Sequence, residues 1–299
     1  MNRTKKLSFF IILIFNFVFL VNGFSQNTFW KKSDSLDLKK RKTLIFTGSS
    51  AYTVSMIGLN QLWYAKYPKS NFHTFNDNQE WLQMDKMGHA MTSYYVGKLG
   101  MELVSWTGDS KQNQLIYGAG LGFAFLTTVE VFDGFSKEWG FSTGDIIANA
   151  SGTGLLIGQE LLWNEQRIQF KYSFHQTHFA NNNPDLLGSN ILEQSLKDYN
   201  GQTYWLSANL WSFNKESKIP KWLNLAVGYG AENMTSGFPL ENDKRYRQFY
   251  LSLDLDLTKI KTNSKFLKTV FSTINFIKIP ATTLSYSEHN KFKFHYLYF

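Results

Sequence analysis

The hydrophobic pattern of this chain changes its period at about Arg167. Before that point, four segments of helical length are moderately apolar and rich in small residues, which recur at a spacing of four in Gly118/Gly122 and Gly154/Gly158. Small residues at this spacing let helices approach closely. After Arg167, apolar and polar residues alternate, as in strands with one buried face. The helical segments cover residues 44–64, 87–106, 115–132 and 143–163. The pattern predicts an α+β chain with an N-terminal four-helix bundle and a C-terminal antiparallel β-sheet.

The alternation is cleanest from Arg247 to Leu257, where every second residue is Phe or Leu. The chain ends in an aromatic segment with Phe299 as its last residue, and this ending is similar to the assembly signal of outer-membrane β-barrel proteins. A membrane-associated or barrel-like sheet is therefore an open alternative, although small barrels of this kind use about eight strands. The other strand candidates are 166–175, 204–211, 222–231, 276–286 and 291–299, and helix-like segments lie at 186–199 and 264–277.

The N-terminus has the three parts of a secretory signal. A basic stretch with Arg3 precedes an apolar run from Leu7 to Val21, and small residues at Gly23 and Ser25 fit the positions that cleavage requires. We expect cleavage after Ser25, with a retained anchor helix as the alternative. The predicted organisation is a signal peptide at 1–25, a helical bundle at 26–165 and a strand-rich region at 166–299. The predicted location is the periplasm or the outer membrane.

The composition excludes several kinds of chemistry and indicates the kind of partner. The 299 residues contain no cysteine, which excludes disulfides, thiol catalysis, thiolate metal sites and a lipid-modified N-terminal cysteine. The formal net charge is +8, and lysines concentrate between Lys259 and Lys293. This strip is either a solvated face or a contact for anionic lipid. The expected partner is a membrane lipid or another envelope component, and nucleic acid is not expected because no recognition motif is present.

Three short motifs concentrate ionisable residues in the helical half. They are Asp85-Lys86-x-x-His89, Glu130-x-x-Asp133-Gly134 and Asp145-x-x-x-Asn149-x-x-Gly152. Spacings of three, four and seven place the members of each motif on one helix face. Carboxylates away from water must be paired, protonated or bound to a cation. The three motifs therefore predict one convergent polar site.

The chemistry predicted for this site has two forms. A divalent metal ion would take its ligands from carboxylates and one imidazole. Alternatively, His89 would act as a general base together with Asp85 and Glu130 in a hydrolytic reaction. Lys86 and Asn149 are candidates for binding a cofactor. The predicted metal ligands are Asp85, His89, Glu130, Asp133 and Asp145.

Structural explanations for the same residues stay open. Asp85 fits the N-cap of the second helix, and Asp145 follows Ser142 at the spacing of a capping box. A Lys86–carboxylate pair would also serve simply to join helices. His175-x-x-His178 lies where a strand gives way to a loop, so a surface pair is favoured over a metal site. The glycines from Gly118 to Gly122 lack the Lys-Ser/Thr of a phosphate-binding loop, which favours helix packing.

The three motifs resemble those of the YfiM-like family, which comprises uncharacterised, predicted periplasmic lipoproteins of Gram-negative bacteria. The resemblance covers residues of about 80–165, and it marks Asp85, His89, Glu130, Asp133, Asp145 and Asn149. A looser similarity extends to VanZ-like membrane proteins. The resemblance implies residence in the cell envelope without supplying a substrate. The lipoprotein cysteine is missing, and the strand-rich half has no counterpart in the short members.

The sequence therefore supports three functional hypotheses. The first is a non-enzymatic envelope protein whose bundle holds a buried polar site for an ion, an anionic lipid or a partner. The second is a metal-assisted hydrolase that acts on an envelope lipid or phosphoester. The third is a structural protein associated with the outer membrane.

Overall fold

The computed structural model describes residue 29 and residues 31–65, 67–240 and 244–299. The predicted signal peptide lies outside these residues. The described chain is an α+β protein, which confirms the predicted fold class. Four long helices form its first half, and a six-stranded antiparallel sheet forms its second.

The four long helices lie close to their predicted positions. Helix α1 is Leu38–Leu59 and continues into a π-helical turn at Asn60–Tyr64. Helix α2 is Met84–Trp106, α3 is Lys111–Asp133 with a π-helical turn at Gln114–Ala119, and α4 is Thr143–Trp163. By length and composition alone, α3 is apolar enough to cross a membrane. Two short strands, β1 (Thr74–Phe75) and β2 (Phe141–Ser142), pair in parallel beside the bundle.

Glycines set how closely the helices of the bundle pack. A Cβ atom on Gly152 of α4 would lie 1.9 Å from the Ala90 carbonyl oxygen on α2, and one on Gly122 would lie 2.0 Å from the Ser93 carbonyl oxygen. Backbones this close admit no side chain, so the packing interpretation is confirmed for Gly122. The same expectation is wrong for Gly154 and Gly158, which face open space.

All six predicted strands are present in the sheet. They are β3 (Ile168–Phe174), β4 (Gln202–Asn209), β5 (Leu223–Glu232), β6 (Tyr246–Leu255), β7 (Ala281–Ser287) and β8 (Lys291–Tyr298). Their order in the sheet follows their order in the chain, with β3 and β8 at the edges. Within the described residues the sheet is open, so the barrel-like alternative does not take the form of a closed barrel. Short helices connect the strands: α5 (Phe179–Asn182), α6 (Pro184–Leu187), α7 (Ile191–Lys197), α8 (Leu210–Phe213) and α9 (Lys265–Ile274).

The sheet is strongly curled. Lys171 on β3 and Asp254 on β6 form a salt bridge of 3.0 Å, although two strands separate β3 from β6. The edge of β3 is also bonded to the segment before β7, because the Tyr172 amide donates to the Phe276 carbonyl and the Lys278 amide donates to the Tyr172 carbonyl. The bundle packs on the outside of this curl, where Phe170 joins Ala90 and Tyr94 in one apolar cluster.

Candidate functional site

The three predicted motifs meet at one end of the bundle. The start of α2, the end of α3 and the start of α4 surround a cavity of about 290 Å³, together with the connecting segment between α1 and α2. The pairing of β1 with β2 holds that segment against the start of α4. The side chains that line the cavity include Tyr64, Asp77, Glu80, Trp81, Asp85, His89, Glu130, Asp133, Trp139, Asp145 and Tyr199.

Local sequence explains why α4 begins at this cavity. Ser142 is its N-cap, and the Ser142 hydroxyl accepts a hydrogen bond of 3.1 Å from the Asp145 amide. The same hydroxyl donates to Asp77 at 2.6 Å. Ser142 is therefore the N-cap, but the reciprocal bond of a capping box is absent, because the Ser142 amide donates to Glu130 rather than to Asp145. The cap also fixes a second carboxylate, Asp77, at the site.

The start of α2 is held in an unusual backbone conformation. Trp81, Leu82 and Gln83 have φ angles of 47°, 49° and 69°, in the left-handed region. Such conformations cost about 1–3 kcal/mol each and persist only where surrounding contacts enforce them. Here the sheet supplies those contacts, because the Tyr229 hydroxyl donates to the Leu82 carbonyl and the Trp81 amide donates to the Gly237 carbonyl. Asp85 consequently lies in the first turn of α2 rather than at its N-cap, which is Gln83.

Lys86 pairs with one group of three carboxylates. Its ammonium nitrogen lies 2.8 Å from Asp77 and 3.0 Å from both Asp85 and Asp145. Burial acts to lower the pKa of Lys86, but the three carboxylates outweigh it and hold the pKa above its usual value. Burial would raise the pKa of Asp77, yet hydrogen bonds with Asp145, Lys86 and Ser142 leave it below its usual range. The interpretation of Lys86 as a link between helices therefore fits the geometry, since it joins α2 to α4.

A second group contains His89, Glu130 and Asp145; Lys86 contacts only its Asp145 member, and no lysine contacts Glu130 among the described residues. One ligand atom from each of these residues lies within 4.8 Å of the other two. The His89 Nε2 atom is 3.7 Å from Glu130 Oε1, which is too long for a hydrogen bond. On its other side, His89 Nδ1 lies 3.1 Å from the Asn149 side-chain oxygen. The imidazole of His89 therefore lies between the Asn149 side chain on its Nδ1 side and Glu130 on its Nε2 side.

Three buried polar atoms at this site have no hydrogen-bond partner in the described structure. They are Glu130 Oε1, Asp85 Oδ1 and Asn149 Nδ2. Glu130 is only 1% exposed, and its other oxygen accepts from the Ser142 amide at 3.2 Å. An orphaned buried carboxylate oxygen costs several kcal/mol, roughly the desolvation penalty of a charged group. Three such atoms in one cluster leave room for a further partner, such as an ion or a water molecule.

The electrostatics of the site reflect burial and an excess of negative charge. Burial, reinforced by Asp145 and Asp133, raises the pKa of Glu130 to about 9. Burial also raises the pKa of Asp133 and that of Asp145 to about 6. The pKa of Asp85 is raised by burial as well, and that of Glu80 reaches about 7 through burial and neighbouring carboxylates. Each shift shows that the carboxylates lack sufficient compensating positive charge.

The structure brings most of the predicted site residues together. One connected chain of contacts includes Asp85, Lys86, Asp145, Glu130, His89 and Asn149. Asp133 lines the same cavity, but its carboxylate accepts a hydrogen bond of 2.8 Å from Tyr64 and belongs to neither group of close ligand atoms. Their roles as ligands or catalytic groups stay predictions. Of the other candidates, His175 and His178 are both exposed, as expected for a surface pair.

Sequence reasoning missed Asp77, Tyr64 and Glu80. Asp77 lies in the polar segment 71–80, where its hydropathy does not distinguish it from a surface loop residue. Only the β1–β2 pairing and the Ser142 cap bring it to Lys86. Tyr64 ends an apolar helical segment and looks like a packing aromatic, although its hydroxyl serves Asp133.

Comparison with known proteins identifies one family model. Residues 73–158 match the family described as predicted periplasmic lipoprotein (DUF2279). The matched range contains all three motifs and Asp77, and it leaves out the six-stranded sheet. The match supports an exported, periplasmic protein, in agreement with the periplasmic part of the predicted location. The search of curated proteins and the search of solved structures found no match.

Proposed function

We propose that this exported envelope protein binds a divalent metal ion in its helical bundle, with His89, Glu130 and Asp145 as ligands. The observation that carries the proposal is the buried, unpartnered Glu130 Oε1, which lies 3.7 Å from His89 Nε2. A divalent ion bonded to both atoms would offset the charge of the carboxylate, whereas without an ion burial favours the protonated acid, with a pKa of about 9.

The distances fit a metal ion of ordinary size. Metal–nitrogen and metal–oxygen bonds are about 2.0–2.2 Å long, so two of them together exceed the 3.7 Å that separates the two atoms. One ion can therefore bond to both atoms without moving the helices. Asp145, within 4.8 Å of both, supplies a third ligand from α4. Three protein ligands would leave further coordination positions facing the cavity.

The chemistry of the donors favours zinc or a similar ion over calcium. Calcium takes oxygen ligands in sets of six to eight, whereas an imidazole combined with carboxylates suits first-row transition metals. The neighbouring residues fit the supporting role found around such ions. Asn149 orients the imidazole, the Ser142 amide holds the second oxygen of Glu130, and Lys86 positions Asp145. These motifs resemble those of the YfiM-like and VanZ-like families, which is consistent with a site that the similar proteins have in common.

Zinc binding by the purified full chain tests the proposal. The protein is stripped with a chelator, and zinc affinity is measured by calorimetry and by elemental analysis after dialysis. We expect one equivalent of zinc, with affinity at least about 100-fold weaker in both His89→Ala and Glu130→Gln, because even residues that only support a ligand change metal affinity about 10–100-fold. Glu138→Gln is the matched control, since it removes the same charge at an exposed position eight residues along the chain.

Circular dichroism of each variant shows whether it is folded. If the folded wild-type chain retains no divalent ion and binds none of zinc, manganese and cobalt, the metal-site proposal is wrong. Equal zinc affinity in wild type and Glu130→Gln would place the ion elsewhere and would also contradict it.

The cavity supports a second candidate, a metal-assisted hydrolase. Its roughly 290 Å³ adjoin His89, and the aromatic side chains of Tyr64, Trp81 and Trp139 line it. An apolar wall next to a metal ion and an imidazole suits an ester or phosphoester substrate. Zinc-loaded protein is assayed with chromogenic carboxylic and phosphate esters. Turnover that is lost in Glu130→Gln and retained in Glu138→Gln supports the hydrolase. Zinc binding without turnover of either class of ester contradicts the hydrolase and supports metal binding as the function.

We further infer that the protein is associated with the outer membrane. The aromatic strand β8 and the basic strip near α9 support this location. Fractionation of Gram-negative cells that express the full chain tests it, with separation of inner and outer membranes on a density gradient. Recovery only in the soluble periplasmic fraction would contradict the inference.

A further inference from the structure

The inner face of the curled sheet is largely polar around one buried cluster of Trp205, Ala226 and Tyr250, and its outer face is apolar. Along β6, Ser252 and Asp254 are buried, whereas the alternating Phe249, Leu251 and Leu253 are exposed. The same inversion holds across the sheet, where soluble proteins bury the apolar face instead. The fully buried polar side chains on its inner face are Lys171, Ser173, Thr203, Ser207, Asn209, Asn224, Ser252, Asp254 and Thr283.

Hydrogen bonds between the polar side chains fix which face of the sheet points inward. Asp254 accepts from Ser207 at 2.6 Å and forms its salt bridge to Lys171 at 3.0 Å. Asn224 donates to the Ser207 hydroxyl and accepts from Asn209. A shift of one residue in any strand would expose this network and bury the apolar side chains, so register and orientation are fixed together.

The register aligns the outer apolar side chains in two continuous rows. The first row crosses all six strands as Phe170, Leu206, Val227, Leu251, Leu284 and Phe294. The second row lies two residues away from the first on each strand and is entirely aromatic. Its members are Tyr172, Tyr204, Tyr229, Phe249, Tyr286 and Phe292.

The bundle covers only the start of each row. At β3 and β4, Phe170 is 5% exposed and Tyr204 is 8% exposed, because α2 packs on them. Further along the first row, Val227 is 52% exposed and Phe294 is 57% exposed. The outer face of β5–β8 therefore continues a buried apolar interface into a region that no described residue covers.

We propose that the outer face of β5–β8 lies against the acyl chains of a lipid membrane. Lipid is the occupant that this inverted pattern fits, because apolar-out and polar-in alternation with an aromatic row is typical of membrane-embedded strands. The helices also carry exposed apolar side chains. They include Phe46, Tyr117, Ile147 and Leu162.

The charge at one end of the sheet complements a lipid surface. The β4–β5 and β6–β7 connections lie at the same end, since the strands are antiparallel. Exposed lysines in these connections are Lys215, Lys218, Lys221, Lys261, Lys265 and Lys268. Helix α9, in the second connection, also exposes Phe266 and Leu267 beside its lysines. Lysines next to exposed aromatic and aliphatic groups are the arrangement that binds anionic headgroups at a membrane boundary.

Site-directed spin labelling tests the proposal directly, because the chain contains no cysteine. Single cysteines replace Val227, Leu251 and Leu284 on the outer face of the full chain. The labelled protein is reconstituted into vesicles of phosphatidylethanolamine and phosphatidylglycerol, and accessibility to oxygen, which partitions into lipid, is compared with accessibility to a water-soluble nickel complex. Leu186→Cys on α6 is the matched control, because Leu186 is 42% exposed and Leu251 is 45% exposed.

We expect the three outer labels to be at least several-fold more accessible to oxygen than to the nickel complex, and the Leu186 label to show the reverse. Circular dichroism before and after labelling shows that each variant is folded. Two results overturn the proposal. One is high nickel accessibility at Leu251 and Leu284 in vesicles, which means water covers the face. The other is protection from both reagents together with a concentration-dependent dimer, which means that a second copy covers it.

Discussion

The protein contains two buried ionic clusters, one in the sheet and one in the bundle. In the sheet, Lys171 and Lys278 flank Asp254, and both ammonium groups also donate to backbone carbonyls. In the bundle, Lys86 serves three carboxylates, yet Glu130 keeps an unpartnered oxygen beside His89. Burial alone does not distinguish the two clusters, since both are enclosed.

The difference lies in what each cluster leaves unsatisfied. The unpartnered buried polar atoms include three in the bundle cluster and none of Lys171, Asp254 and Lys278. A network whose members are all bonded is sufficient as a structural element, whereas a network with orphaned atoms and surplus negative charge is the kind that the proposed metal ion would complete. Each prediction below tests whether this contrast separates a structural cluster from a binding site.

The largest expected effect is the loss of the central charge in the sheet. Asp254→Asn leaves Lys171 and Lys278 buried without a counter-charge, and breaking a buried pair in this way costs about 3–5 kcal/mol. Urea unfolding of the purified chain measures the change in the free energy of unfolding. Asp185→Asn, at an exposed position, should change it by less than about 0.5 kcal/mol. A loss below about 1 kcal/mol in Asp254→Asn would show that the sheet cluster carries no structural role.

The second prediction concerns the pH dependence of the sheet cluster. Burial lowers the pKa of Lys278 to about 8, with Asp254 opposing the shift and Lys171 adding to it. Between about pH 8 and 10.5 the unfolded chain holds a proton that the folded chain has released, so stability rises with pH in this window. The rise reaches roughly 3 kcal/mol for a shift of this size. Lys278→Met should lack it, as measured by urea unfolding at pH 8 and at pH 10.5. Equal pH profiles for the two proteins would contradict the lowered pKa of Lys278 in the folded chain.

The third prediction is a gain in stability, whereas the first is a loss. In metal-free protein, Glu130→Gln removes a carboxylate whose oxygen lacks a partner, so the variant should be more stable than wild type by about 1–2 kcal/mol. Zinc at about 100 times its dissociation constant should stabilise wild type by about 2.7 kcal/mol and leave the variant unchanged. Thermal unfolding with and without zinc measures both effects, and Glu138→Gln should behave as wild type. A metal-free Glu130→Gln that is clearly less stable would mean that the bundle cluster is structural, like that of the sheet.

Much of the fold and of the bundle site could be predicted from the sequence, because hydrophobic period and motif spacing are local properties. The switch from helical segments to alternation at Arg167 predicted all four long helices and all six strands. The motif spacings of three and four brought His89 and Asn149 to facing positions on α2 and α4, as the hydrogen bond between them shows.

What the sequence could not supply depends on long-range contacts. Asp77 reaches Lys86 only because Ser142 and the β1–β2 pair hold its loop in place. The inversion of the sheet was hidden for a similar reason. Alternation predicts that one face is apolar, but which face points inward depends on curl and on partners such as Lys171 and Asp254, which are far apart in sequence.

The smallest expected effect separates the scaffold of the bundle site from its ligands. Ser142→Ala removes the N-cap of α4 and the hydrogen bond to Asp77, so it should lower stability by about 1 kcal/mol. Ser151→Ala on the same helix is the control, because its exposed hydroxyl bonds only to the Ile147 carbonyl and should change stability by less than about 0.5 kcal/mol. Since Ser142→Ala leaves Glu130 and His89 in place, zinc affinity should fall far less than in Glu130→Gln. A loss of zinc affinity equal to that of Glu130→Gln, measured by the same calorimetry, would mean that the cap itself forms the site.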